Sequence, residues 1–370
     1  MCVCYHTGMS AFLDKIFGNK MDTSPQRVVG VDLGSTSIKV VELERRDDVV
    51  NLSTYGELLV GPYGNGALGD SVTLEAKQEQ TALVDIFRES AVQATAAVFS
   101  VPMSSSFVTV INLPKVAPDG DVSAQVPVEA RKYIPIPINE VTLDWAEIHR
   151  SETDKASESQ EVLLVAIQNE VLKRLNTLMN RTNLPEQPTE IECFSLIRGV
   201  NQSEFGERVA VIDIGGSSTK LYILRNGLLE QLHRVRSGGT HITKQLAEDL
   251  QTDFTDAEVR KREYDGSSDE MGYTIRRVHE KMLGRTMKEF RQVLQGYEQD
   301  HGSEITQVIL TGGVTQYPKI TALIEEGLGR SVMVATPFKK VASPAFMEDV
   351  INEIGPTFSV ALGAALRRFE

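Results

Sequence analysis

The 370-residue chain contains only three cysteines, Cys2, Cys4 and Cys193, and a single tryptophan. Three cysteines cannot staple a small secreted scaffold, and no strong metal-ligand spacing accompanies them, so the fold has to be held by a packed core. Long apolar runs are missing too. No stretch approaches the roughly 18 uninterrupted apolar residues of a membrane span, and the first residues lack an apolar segment followed by a cleavage site. A secreted or membrane-spanning chain is not expected, and the cysteine usage reads as cytosolic. Positive charge is also scarce: 38 Lys and Arg stand against 51 Asp and Glu, a net charge of -13. That balance repels a phosphate backbone and argues against nucleic acid as a partner. The opening MCVCYHTG has no structural pattern, and with Met9 and Met21 as alternative starts it reads as an extension. Phe12, Leu13, Ile16 and Phe17 share one helical face beside Lys15 and Lys20, a segment too short for stable membrane attachment by itself.

What is present is an ordinary folded composition, 41% hydrophobic and 24% charged, on a chain two to three times the usual domain size, so at least two domains are expected. An internal repeat organises them. VVGVDLGSTSIKVVEL (Val28 to Leu43) lies over VAVIDIGGSSTKLYIL (Val209 to Leu224) without a gap; the Asp, a Gly, a Ser, the Lys and the last Leu coincide. Each copy is a β-branched run, a Gly/Ser/Thr turn and a second run, the signature of a hairpin, which predicts two similar halves.

Around the repeat, strands alternate with helices, an α/β pattern. A third strand is predicted near Asn51 to Val60, a Gly-rich loop over Gly61 to Gly69, and a helix over Leu74 to Ala94. Ala96 to Pro114 reads as two strands around a turn, followed by a helix over Val122 to Tyr133, a polar hairpin tip RSETDKASESQ, the strand Val162 to Ile167 and the helix Glu170 to Thr182. In the second half Thr240 or Thr243 is the expected cap of one helix and Thr255 of the next. ITQVILTGGVTQYPKI reads as strand, Gly turn and helix, SVMVATPF as a short strand, and FSVALGAALRRFE as a closing apolar helix.

Three Gly turns carry the chemistry: DLGST at Asp32, DIGGSST at Asp213 and TGGVTQYPKI at Thr311. Turns of Gly and hydroxyl residues point successive backbone N–H groups into one concavity, which attracts phosphate oxygens. If the halves face each other, Asp32 and Asp213 converge beside those phosphates, a pattern that suits Mg²⁺. Each turn alone is as readily a plain hairpin; the set of three is the signal.

The order and separation of the turns resemble the two phosphate loops and the adenosine loop of the actin-like ATPase superfamily. Within it, GVDLGSTSIKVVEL, ARKYIPIPINEVTLDW, DAEVRKR with LTGGV, and FSVALGAALRR resemble the PilM family of type IV pilus assembly, with FtsA as the next relative. The resemblance implies an actin-like (RNase H-like, duplicated) α/β fold with a small inserted subdomain. The boundaries it suggests are an extension over 1–26, a first domain over 27–96 and 168–206, an inserted partner-binding subdomain over 97–167, and a second domain over 207–370. It implies ATP and Mg²⁺ as ligands. Asp32 and Asp213 would hold the metal through waters, and Gly34, Ser35, Thr36 and Lys39 would meet the β- and γ-phosphates. Gly215, Gly216, Ser217, Ser218 and Thr219 form the second turn, Lys220 reading as a plain surface residue. Gly238 and Gly239 would lie near the ribose, Glu258 and Lys261 beside the nucleoside unless they are an exposed helical pair, and Gly312, Gly313 and Val314 on the adenine and α-phosphate.

Glu192 matches the acidic residue that orients water in relatives, although Cys193 stands where they have Pro, and Pro127 interrupts the helix expected in the inserted subdomain. The partner implied is the N-terminal cytoplasmic tail of PilN, a single-span inner-membrane protein, which would recruit a cytosolic chain to the cytoplasmic face of the inner membrane. Other pilus platform and motor components, and self-association, are further candidates. Ile134, Ile136 and Ile138 are expected to close the subdomain's own core. Two other readings stay open. An FtsA-like polymerising protein is disfavoured because the chain stops after its last core helix, and a small-molecule kinase because no sugar-binding Asp is evident between the phosphate turns.

Overall fold

A computed structural model describes residues 26–114, 122–148, 159–182, 189–200 and 206–369. The N-terminal amphipathic stretch and the polar tip, apart from its closing Ser159 and Gln160, lie outside them. In the first half β1 (Arg27–Leu33), β2 (Ser37–Arg46) and β3 (Val49–Leu59) form an antiparallel meander. β4 (Ala96–Val101) and the short β8 (Glu190–Ile191) add in parallel, giving the order β3-β2-β1-β4-β8. The second half repeats this with β9 (Arg208–Ile214), β10 (Thr219–Arg225), β11 (Leu228–Val235), β12 (Gln307–Thr311) and β13 (Met333–Val334), in the order β11-β10-β9-β12-β13.

The duplication extends to details. Asp47 and Asp48 in one half, and Asn226 and Gly227 in the other, take positive φ at the two-residue turn whose twist suits adjoining strands. The register slips between Glu42 and Leu43 and between Ile223 and Leu224, which are aligned positions of the repeat, so both sheets gain extra twist at one place.

A third sheet, β5 (Ser106–Pro114), β7 (Ser159–Gln168) and β6 (Val141–Ile148), is antiparallel and encloses its own core of Ile111, Val126, Ile134, Val162 and Leu164. Ile136 and Ile138 pack against that core, as expected. The helix read over Val122 to Tyr133 is shorter: a 3₁₀ turn over Val122–Ala124, then α2 (Val126–Ala130), after α1 (Ala76–Glu89) of the first half. Pro127 therefore stands in a first turn, where its missing N–H has no partner to lose. The separate sheet begins only at β5. Ala97 to Val101, read with the insertion, belong to β4 and pair with β1, so the two strands read around one turn lie in different sheets.

Helices cover the sheets: α3 (Asn169–Arg181), α4 (Glu192–Val200), α5 (Gly239–Leu250), α6 (Phe254–Glu263), α7 (Glu270–His301), α8 (Ile320–Leu328), α9 (Glu348–Ile354) and α10 (Ser359–Leu366). Gly238, not Thr240 or Thr243, is the N-cap of α5, and Asp253, not Thr255, caps α6 by accepting from the Asp256 N–H. The last segment also departs from the boundaries suggested by the sequence. α10 does not complete the second half but returns to the first: Gly30 of β1 lies against the α10 backbone at Ala361 and Ala365, and Gly199 of α4 and Gly363 of α10 let these two helices touch backbone to backbone. Both helices are buried along their length, which explains their apolar composition. Among the described residues no helix is long and apolar enough to cross a membrane.

Candidate functional site

The two repeated hairpins meet across a cleft. Gly216 of the second turn lies so close to Thr36 of the first that a Cβ there would collide with the Thr36 side chain. The cleft has an inner chamber lined by Asp32, Gly34, Ser35, Thr36, Lys39, Glu192, Asp213, Gly215, Gly216, Ser217, Ser218, Gly312 and Gly313. An outer chamber adds Gly239, Glu258, Lys261 and Val314. Most residues singled out in the sequence thus face one continuous space. Two do not line it: Thr219 is buried and donates to the Ser237 carbonyl (2.7 Å), and Gly238 packs behind Gly215 and Gly216. The Gly239 and Thr240 amides of α5 donate to the Gly215 and Gly216 carbonyls (3.0 and 2.9 Å), locking the second turn to that helix. Gly312 has φ +96°, and a side chain there would strike the Ile214 backbone and Asp213, so glycine alone suits this turn.

Charge in the inner chamber is arranged by register. Lys39 pairs with Asp32 across β1 and β2, and Lys220 pairs with Asp213 across β9 and β10, the same position in each copy. Directly opposed residues share a face of the sheet. Lys220 is accordingly not a surface residue: it is 8% exposed, and its ammonium bridges Glu192 and Asp213, 3.2 Å from Asp213 Oδ2. Burial works against its charge, but Glu192 and Asp213 outweigh it and hold the ammonium above the usual lysine range. Burial also pushes Glu192 upward, and the Lys220 contact overrides this, leaving its carboxyl below the ordinary value. Both Glu192 oxygens are engaged, Oε1 by Lys220 and Oε2 by the Met103 N–H (3.1 Å).

Burial raises Asp213 despite Lys220, and raises Asp32 to about 6 despite Lys39. The hydrogen bond to Asp32 comes from Ser100 Oγ at 3.3 Å. Asp32, which no ammonium contacts among the described residues, and Asp213, which shares Lys220 with Glu192, stand together at the edge of the inner chamber, and such a pair fits a hard cation that keeps most of its waters.

In the outer chamber Glu258 is 2% exposed, not half of a solvated pair. It accepts from Thr243 Oγ1 (2.5 Å), Lys261 Nζ (2.6 Å) and Arg262 Nε (2.6 Å), and Lys261 reaches on to the Gly239 carbonyl (3.3 Å). The pair ties α6 to α5. Sequence reasoning missed Lys220, although the repeat aligned it with Lys39. It also missed Arg234 in the inner chamber and Tyr264, His279 and Tyr317 in the outer one. Arg234 stands on β11 opposite Lys220, a pairing that strand register alone reveals. His279 lies on α7, a helix not read from the sequence.

The chain resembles the solved "PilM-PilN type IV pilus biogenesis complex" with a TM-score of 0.79 at 23% identity, over 94% of this chain and 100% of that one. It also resembles the ethanolamine utilization protein EutJ from Carboxydothermus hydrogenoformans, with a TM-score of 0.55 at 16% identity over 97% of each chain. The fold is the duplicated actin-like one expected from the turns. Among curated proteins it is 23% identical over 363 residues to the cell division protein FtsA of Bacillus subtilis (strain 168), covering 87% of this chain and 81% of that protein. The family model of the type IV pilus assembly protein PilM matches residues 30–369, nearly the whole chain, and the chain belongs to that family.

Proposed function

We propose that this chain is a nucleotide-regulated scaffold of type IV pilus assembly, binding ATP with Mg²⁺ in the cleft and docking the N-terminal cytoplasmic tail of a PilN-like single-span inner-membrane protein. The observation that carries the nucleotide reading is the facing pair of Asp-Gly-Ser/Thr hairpins, with the third Gly turn closing the space between them. Gly34, Ser35, Thr36, Lys39 and the Gly215 to Ser218 turn would receive the phosphates. Gly239, Glu258, Lys261 and Gly312 to Val314 would receive the nucleoside. Asp32 and Asp213 would hold the metal through waters, and a metal there supplies charge neutralisation between carboxylates and phosphates.

Retention of ATP is favoured over rapid hydrolysis. Lys220 and the Met103 amide each engage one oxygen of Glu192, so the carboxylate that would orient an attacking water is shared with structural contacts. The same Glu192 contact joins the cleft to Met103, at the root of the inserted sheet, which supports a scaffold whose partner surface senses the nucleotide. The likeness to a PilM-PilN complex supports the partner, and a single-span partner would bring the chain to the cytoplasmic face of the inner membrane. Thermal melts with ATP and Mg²⁺ test the first half: saturating ligand should raise the melting temperature of the wild type, and less in Asp32→Ala and Asp213→Ala. A synthetic peptide of the partner's tail tests the second, binding with an affinity that changes when ATP is added. An absence of any melting shift would end the nucleotide reading.

A further inference from the structure

We propose that His279 selects the base of the bound nucleotide, accepting a purine with an amino group at C6 and rejecting one with a carbonyl there. The proposal rests on the reading of the cleft as a nucleotide site and adds to it a specificity residue. His279 lies on α7, is 2% exposed, and lines the outer chamber with Val314, Gln316 and Tyr317. Its Nδ1 is 2.8 Å from the Ile275 carbonyl one turn back. A carbonyl oxygen only accepts, so Nδ1 carries the hydrogen. Burial holds the imidazole pKa near about 4, so the ring is neutral and Nε2 is a bare acceptor.

Among the described residues no donor reaches Nε2. Tyr317 stacks on it at 3.8 Å between centroids and 18° between planes, and Tyr264 stacks on Tyr317 at 5.4 Å. The stack covers a face of the imidazole, so a base in the chamber would meet the ring at its edge, and of the two ring nitrogens only Nε2 is uncommitted. Water can meet this acceptor while no base is bound, and a base that displaces the water without offering an N–H leaves it unpaired, which is where the discrimination arises. Adenine offers such a donor at C6. Guanine would set the lone pairs of O6 against that of Nε2, and a purine with bare C6–H would leave the acceptor unmet. Sites built to hydrogen-bond a ligand group discriminate strongly against analogues that lack it.

The test measures equilibrium affinities of the full chain for ATP, GTP and purine riboside 5′-triphosphate, with Mg²⁺ present. The wild type should bind ATP about tenfold or more tightly than either of the others. His279→Leu should weaken ATP to the level of purine riboside triphosphate while leaving that analogue within about twofold of its wild-type affinity. His279→Gln, whose amide oxygen accepts, should recover part of the preference. Equal wild-type affinity for ATP and either analogue overturns the proposal, as does a His279→Leu variant that loses both ligands in proportion. Should His279→Leu fail to fold, His279→Phe takes its place with the same expectation, and a folded variant that keeps the full wild-type preference for ATP overturns the proposal. A wild type that binds none of the three refutes the nucleotide reading itself, an outcome distinct from binding all three alike.

Discussion

Replacing Lys220 by Met removes an ammonium enclosed by two carboxylates while keeping most of the apolar stem. Lys220 is 8% exposed and Asp213 equally so, and the Glu192 side chain is 13% exposed. Removing one partner of a buried pair leaves the other charge uncompensated, which costs about 3–5 kcal/mol. At about 2–4 °C per kcal/mol for a unit of 150–250 residues, the melting temperature should fall on the order of 10 °C.

The loss should depend on pH in a definite sense. Without Lys220, the largest opposing influence is gone, and burial, the leading cause at both Glu192 and Asp213, should raise their folded pKa values above those of the unfolded chain. Carboxyls shifted that way favour folding when protonated, so the variant should be least stable at pH 8 and recover toward pH 5. Lys220→Met with Glu192→Gln should regain part of the loss at pH 8, because one of the stranded charges is gone. Differential scanning fluorimetry across that pH range reads all of this without ligand. A Lys220→Met variant that melts with the wild type at every pH would refute the reasoning and return Lys220 to the surface.

Acid should destabilise the wild type through His279, whose pKa burial lowers from 6.5 to about 4. The neutral ring's stability is complete above pH 6.5 and is lost as pH falls through 4, by about 3 kcal/mol, and His279→Leu should flatten that part of the urea-midpoint profile. Gly363→Ala places a methyl group into the Ser195 backbone where α10 crosses α4, and overpacking of this kind should cost about 1–3 kcal/mol, seen as a lower melting temperature. Arg234 is exposed and makes no hydrogen bond or ion pair among the described residues. Arg234→Ala should therefore leave ligand-free stability within about 0.5 kcal/mol and weaken ATP more than ADP in a binding titration.

The turns were legible in the sequence because their chemistry is local. Gly and hydroxyl residues after a β-branched run specify a hairpin wherever they occur, and repetition of that pattern implied two similar halves. The alternation of strands and helices carried the α/β class in the same way, and so did Ile134, whose apolar side chain had to find the subdomain's own core. What the sequence left undecided depends on residues distant along the chain. Lys220 has the same local surroundings as a solvated strand lysine, and only the approach of α4 brings Glu192 over it. Glu258 and Lys261 have the spacing of an exposed helical pair, and only the packing of α6 on α5 buries them. α10 was recognisable as an apolar helix, but its place against β1 and α4 follows from the backbone contact that Gly30, Gly199 and Gly363 permit, which no single segment encodes. His279 and Tyr317 lie on different elements, so their stack exists only once α7 and the third Gly turn are side by side. Local backbone preference thus determined the turns and strands, and long-range packing decided which side chains share the cleft and which charges are buried there.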